Sequence, residues 1–186
     1  MKVREMENIK SSVLPETFEY IKVDSESEDF FRISATLATC WKFAYKEIIN
    51  EVYLSSLQED HWVEFLEKGL SDRLIDCVIA KKGDQVVGVS IFGRSITDAY
   101  PEDGEMISLY VLPAFIGKGL GHTLLEMAEK GLKEKNYTHS LICVFCDNES
   151  AIAFYEAHGF ETASSNHEIT MGTQKLRYQI MRKVNG

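Results

Sequence analysis

Apolar and polar residues alternate over 17–23, a run rich in aromatic and β-branched side chains that predicts an opening strand. The period then changes. From 29 to 49, Phe30, Ile33, Leu37, Trp41, Ala44 and Ile48 recur at three- and four-residue steps, the stripe of an amphipathic helix. A second helix is expected over 57–68, where Trp62, Phe65 and Leu66 come together and Gly69 follows as a left-handed cap. Two β-rich runs, 74–81 and 85–92, flank Lys82, Gly83 and Asp84 and read as a hairpin. A strand over 105–112 leads through a glycine-rich loop into a helix over 118–135. A strand at 141–146, a short helix at 149–158 and two closing strands at 160–171 and 175–182 complete the order. Strands interspersed with helices in this sequence predict one α/β domain: a mixed, mostly antiparallel sheet of six to seven strands with helices on both faces.

Composition narrows the picture. The 186 residues suit one compact domain, and a hydrophobic share of 45% is ample for one core. Residues 1–16 read as an extension, with 1–15 loosely ordered, and 17–186 as the folded unit. A net charge of -9 with no basic run argues against nucleic acid. The same acidity favours cationic ligands, or serves solubility alone. The first ten residues lack the apolar stretch of a signal peptide and no apolar segment reaches membrane-spanning length, so a cytoplasmic protein away from membranes is expected. Cys40, Cys77, Cys143 and Cys146 lie in apolar stretches and read as reduced core thiols. Cys143 and Cys146 have C-x-x-C spacing, but three apart on a strand they face opposite ways. The five histidines show no metal-ligand spacing, and no metal is assigned.

The stretch Leu109-Tyr110-Val111-Leu112-Pro113-Ala114-Phe115-Ile116-Gly117-Lys118-Gly119-Leu120-Gly121-His122 carries the chemistry. Glycines at 117, 119 and 121 remove Cβ atoms where a strand turns into a helix. Backbone N–H groups can then converge on an anion, and the helix N-terminus adds free donors and its positive dipole end. A tight turn alone would explain the same glycines. The loop is neither a Walker loop nor a Rossmann fingerprint.

The stretch resembles the cofactor signature of the GNAT superfamily, Q/R-x-x-G-x-G/A, with Gly119 and Gly121 at the small positions. The run Asn148-Glu149-Ser150-Ala151-Ile152-Ala153-Phe154-Tyr155-Glu156-Ala157-His158-Gly159-Phe160 is similar to that family's N-x-x-A-x-x-F-Y-x-x-x-G-F segment. Together the resemblance covers about 17–183. Ile116 departs from the pattern, standing where Gln or Arg is usual, which implies weaker support for the loop.

The resemblance implies an N-acetyltransferase that passes the acetyl group of acetyl-CoA to a primary amine of a small molecule or peptide by direct attack. The cofactor would be held by Leu109, Tyr110, Val111, Ile116, Gly117, Lys118, Gly119, Leu120, Gly121, His122, Asn148, Ala151, Phe154 and Tyr155. A lysine-like ammonium costs about 4.6 kcal/mol to deprotonate at pH 7. Glu105 is therefore the candidate general base, its other reading being a solvated acid at a strand start. A backbone N–H of that family's fourth strand, here within 109–111, would meet the charge on the thioester oxygen. Tyr155 is the candidate acid for the departing thiolate, or a packing residue beside Phe154. Asn148 would cap the short helix and hold the pantetheine arm. Asp98, Glu102 and Asp103 would attract an ammonium acceptor, or be a solvated loop. A non-catalytic acyl-CoA-binding protein and an interaction subunit that forms a homodimer are the competing readings.

Overall fold

The computed structural model describes residues 16–186; the stretch 1–15 lies outside the described residues. A single sheet organises the chain, in the strand order β1-β2-β3-β4-β5-β7-β6. Its strands are β1 (Glu19–Val23), β2 (Ile75–Lys82), β3 (Gln85–Arg94), β4 (Gly104–Val111), β5 (His139–Phe145), β6 (Glu161–Met171) and β7 (Gln174–Val184). Neighbours are antiparallel except β4 and β5. That parallel pair holds only at Gly104↔Ser140 and Glu105↔Leu141. Beyond it β4 stays with β3 and β5 with β7, so the sheet parts along its middle.

Helices α1 (Phe30–Ala44), α2 (Glu51–Ser56) and α3 (Val63–Ser71) form one layer; α4 (Leu120–Glu134) and α5 (Glu149–Ala157) form the other. Ile33, Leu37, Leu66 and Leu70 pack on Cys77, Ile79, Val89 and Ile91 beneath the first layer. Leu120, Leu124, Leu125, Ala128 and Leu132 pack on Val78, Val87 and Met106 beneath the second. At roughly 25 cal/mol per Å² of buried apolar area these stripes dominate the stability of the fold.

Three expectations need correction. The apolar stripe over 29–49 outruns its helix, which stops at Ala44; Tyr45 leaves helical geometry and its N–H closes the last turn on Trp41 O at 3.0 Å. The chain restarts as α2, where the Asn50 side chain accepts from Tyr53 N at 2.9 Å and caps it. Gly69 is not a cap: α3 runs to Ser71, and a Cβ at Gly69 would stand 2.6 Å from Ile75 Cδ1. It is glycine to let the helix lie on β2, while Arg73 takes the left-handed turn at φ 56°. Finally, Cys40 and Cys77 are core thiols, but Cys143 is exposed and Cys146 half-buried. Cys143 falls in the sheet where β4 has already left β5, so it keeps a strand neighbour only on the β7 side.

Candidate active site

The parted strands leave backbone donors open. Leu112 N–H donates to Val87 O at 2.9 Å. By the alternation of a pleated strand, Tyr110 N–H also faces β3, whereas Leu109 and Val111 turn theirs toward the gap. A cavity of about 610 Å³ runs through this gap. Leu109, Tyr110, Val111, Ile116, Gly117, Gly119, Gly121, His122, Asn148, Ala151, Phe154 and Tyr155 all line it.

The floor toward α4 is the glycine loop. A 3₁₀ turn at Pro113–Phe115 precedes it, and Gly117 and Gly119 take φ of 81° and 86°, which disfavours any side chain. A Cβ built at either meets nothing within 4 Å, and neither N–H donates to another backbone group among the described residues. Gly119 caps α4 without a side-chain bond, and the first intrahelical N–H is Thr123, which donates to Gly119 O at 3.1 Å. The amides of Leu120, Gly121 and His122 are thus the free donors of a helix start. Ile116 is 59% exposed at the mouth and its N–H is spent on Pro113 O at 3.3 Å. Lys118 and Leu120 do not line the cavity. Leu120 is buried under α4, and Lys118 turns away to pair with Glu16, which also holds Lys82.

The opposite wall is α5. Asn148 accepts from Ala151 N at 3.3 Å and from Ser150 Oγ at 3.1 Å, so it caps the helix as expected. His158 Nδ1–H donates to Phe154 O at 2.7 Å, which leaves its Nε2 to accept from His122 Nδ1–H at 2.9 Å. This ties α4 to α5 behind Phe154. Tyr155 is 5% exposed, its hydroxyl makes no hydrogen bond among the described residues, and burial pushes its phenol well above the ordinary range. Across the gap the Tyr45 and Tyr110 hydroxyls lie 2.7 Å apart, both also pushed up, chiefly by burial.

Glu105 stands outside this cavity, just where β4 and β5 part, and is 4% exposed. The solvated-acid reading therefore fails. Its Oε2 accepts from Ser95 Oγ (3.1 Å), Ile96 N (2.8 Å) and Thr97 N (3.1 Å), while Oε1 accepts none among the described residues. The loop acids separate in the same way. Asp98 and Glu102 are exposed, but Asp103 is 4% exposed and bound by Arg182 through Nε (2.5 Å) and Nη2 (2.8 Å), so it cannot serve an incoming ammonium. Sequence reasoning missed the α1 side of the cavity, Cys40, Phe43, Ala44, Tyr45 and Lys46, and Cys143 on β5. The i, i+3, i+4 spacing of Cys40, Phe43 and Ala44 was the signal that they share one helix face.

Residues 41–160 match the family described as "Acetyltransferase (GNAT) family". The uncharacterised N-acetyltransferase YuaI of Bacillus subtilis (strain 168) is 31% identical over 149 residues, 78% of this chain and 83% of that protein. The spermidine N(1)-acetyltransferase of Thermoplasma acidophilum is 25% identical over 146 residues, 75% of this chain and 86% of that protein. Among solved structures, the PaiA N-acetyltransferase of T. acidophilum in complex with coenzyme A superposes with a TM-score of 0.71 at 24% identity, covering 90% of this chain and 99% of that one. An N-acetyltransferase of Staphylococcus aureus Mu50 does so with 0.68 at 20% identity, over 91% and 99%. At these identities the structural likeness speaks for the fold.

Proposed function

Since the chain belongs to the GNAT acetyltransferase family, we propose that it transfers the acetyl group of acetyl-CoA directly to a primary amine of a small molecule or peptide, with residues 17–186 as the catalytic unit in the cytoplasm. The observation that carries this reading is the cavity through the parted strands, because it joins an anion-suited helix start to two unpaired strand amides and a buried phenol.

In this reading the N–H groups from Gly117 to His122 take the pyrophosphate, and Asn148, Ala151 and Phe154 flank the pantetheine arm. Leu109 and Val111 N–H meet the negative charge that builds on the thioester oxygen as the amine attacks. Glu105 takes the ammonium proton on Oε1, directly or through water, while Oε2 stays bound to the loop. The departing thiolate receives its proton from Tyr155, whose raised pKa keeps that proton in place until the sulfur leaves. Asp98 and Glu105 give the acceptor side negative charge. A relative named for spermidine is a further reason to place polyamines among the amines to be tried.

The test is a melting curve with and without acetyl-CoA, followed by thiol release on an amine panel. Ligand at a hundredfold excess over Kd stabilises by about 2.7 kcal/mol, a rise of about 5–10 °C for a domain of this size. An unchanged Tm would remove the donor from the proposal; a rise without thiol release on any amine would favour the non-catalytic acyl-CoA-binding reading.

A further inference from the structure

We propose that Cys143 is a modification site for coenzyme A itself, forming a mixed disulfide with the CoA sulfur in the active-site cavity. The inference rests on the donor assignment above and extends it to the cavity's one exposed thiol.

Cys143 lies on β5 two residues past the last β4–β5 pair and lines the same cavity as Leu109, Val111 and Tyr155. Its Sγ is 3.3 Å from Thr97 Oγ1, which fixes the thiol between the loop held by Glu105 and the gap in the sheet. Tyr155 supplies an independent sign of a ligand at this point: a phenol 5% exposed, unpartnered among the described residues, and reaching the cavity. If Tyr155 faces the sulfur of bound CoA from the α5 side, Cys143 flanks it from the β5 side. The other thiols are poorer candidates. Burial pushes Cys40 and Cys77 up to about 12, and Cys146 does not line the cavity.

The step balances as thiol–disulfide exchange. The Cys143 thiolate attacks one sulfur of CoA disulfide, the S–S bond breaks, a Cys143–S–S–CoA bond forms, and the second CoA leaves as a thiolate that takes a proton. The oxidising equivalent comes entirely from the CoA disulfide. Burial pushes the Cys143 thiol up, the Thr97 hydroxyl pulls it back, and the Glu105 charge pushes it up again. The thiolate fraction, and with it the rate, therefore rises as pH climbs past neutrality. The adduct would hold CoA in place of acetyl-CoA, closing the site when the CoA pool is oxidised and reopening it with reductant.

The experiment incubates the full chain with CoA disulfide, and separately with glutathione disulfide, following intact mass, modified peptide and activity. Expected are one CoA added at Cys143, activity lost in step and restored by dithiothreitol, protection by saturating acetyl-CoA, and much slower labelling by glutathione disulfide. The residual activity of Cys143→Ser should not fall on treatment. Equal labelling by both disulfides, or labelling that acetyl-CoA does not slow, would make Cys143 an ordinary surface thiol and overturn the inference. The melting curve separates the two failures. A Tm rise with acetyl-CoA and no adduct at Cys143 defeats this inference alone, whereas no rise defeats the donor assignment and this inference with it.

Discussion

Replacing Tyr155 by Phe removes one oxygen from a buried ring and separates catalysis from stability. The ring packs in the α4 core with Phe160 at 5.6 Å and Phe154 at 5.2 Å, and Phe keeps those contacts. The hydroxyl makes no hydrogen bond among the described residues, and Tyr155 lines the cavity. Deleting an unpaired polar atom leaves stability unchanged or slightly raised, so Tm should stay within a degree or two, since about 1 kcal/mol shifts a domain of this size by roughly 2–4 °C. A general acid contributes roughly 100- to 10,000-fold, about 2.7–5.4 kcal/mol of barrier. Because the proton moves only as the thiolate departs, kcat and kcat/KM should fall together while KM for acetyl-CoA holds. Thiol release under saturating acetyl-CoA reads kcat directly. Burial raises the phenol further above its usual value near 10, so Tyr155 should add no alkaline limb below about pH 9. A variant within threefold of the parent kcat, at unchanged Tm, would refute the acid assignment.

Glu105→Gln keeps an oxygen for the loop donors but loses the charge. It should lower kcat by about 100-fold, flatten the acidic limb of kcat/KM and cost about 1–3 kcal/mol in unfolding; an identical pH–rate profile would remove Glu105 from proton transfer. Gly119→Ala forces a side chain into φ 86° and should cost about 1–2 kcal/mol, whereas at Gly121 a methyl meets only the Phe154 ring at 3.7 Å, so Gly121→Ala should leave Tm and acetyl-CoA affinity nearly as they are. Equal losses at the two sites would contradict this difference. Asp76 is flanked by Lys22 Nζ at 2.9 Å and Lys135 Nζ at 2.8 Å, the second an ion pair not oriented as a hydrogen bond. Burial works to raise its pKa, but the two lysines outweigh it and lower the value. A lowered carboxylate pKa stabilises above the unfolded value near 4 and loses that stabilisation as pH falls through the folded value. Asp76→Asn should therefore cost about 1–2 kcal/mol at pH 7, the exposed Lys22 keeping it small, and the gap in Tm should narrow below pH 4.

What the sequence displays is whatever depends on neighbours along the chain. The glycine loop was legible because φ near 85° at 117 and 119 is a local demand that only glycine meets cheaply, and Asn148 because a cap bonds three residues on. Element order followed from periodicity for the same reason. The errors all involve partners outside the element being read. Ile48 continues the α1 stripe because it is covered near Tyr45 and Leu176, not because the helix continues. Gly69 is set by Ile75 on the adjoining strand. Asp103 looks free until Arg182 arrives from β7, 79 residues on. Cys143 reads as core because its strand is apolar, and nothing local says that the neighbouring strand has left.

That departure ties the site together. A strand normally satisfies its amides on both sides, and an unpaired amide away from water costs about 1–3 kcal/mol. Here β4 keeps β3 through Val111 but releases β5 after Glu105, so Leu109 and Val111 lack strand partners along the gap. The α4 and α1 layers, which grip β2, β3 and β4, bear the cost of keeping β4 in place. The same separation lets Tyr155 from one layer and Tyr45 from the other line one cavity, and leaves Cys143 without a β4 neighbour. Open strand amides, a buried phenol and an exposed thiol thus all border one topological feature. A substitution that moved β5 back against β4 would be expected to stabilise the fold while abolishing acetyl transfer.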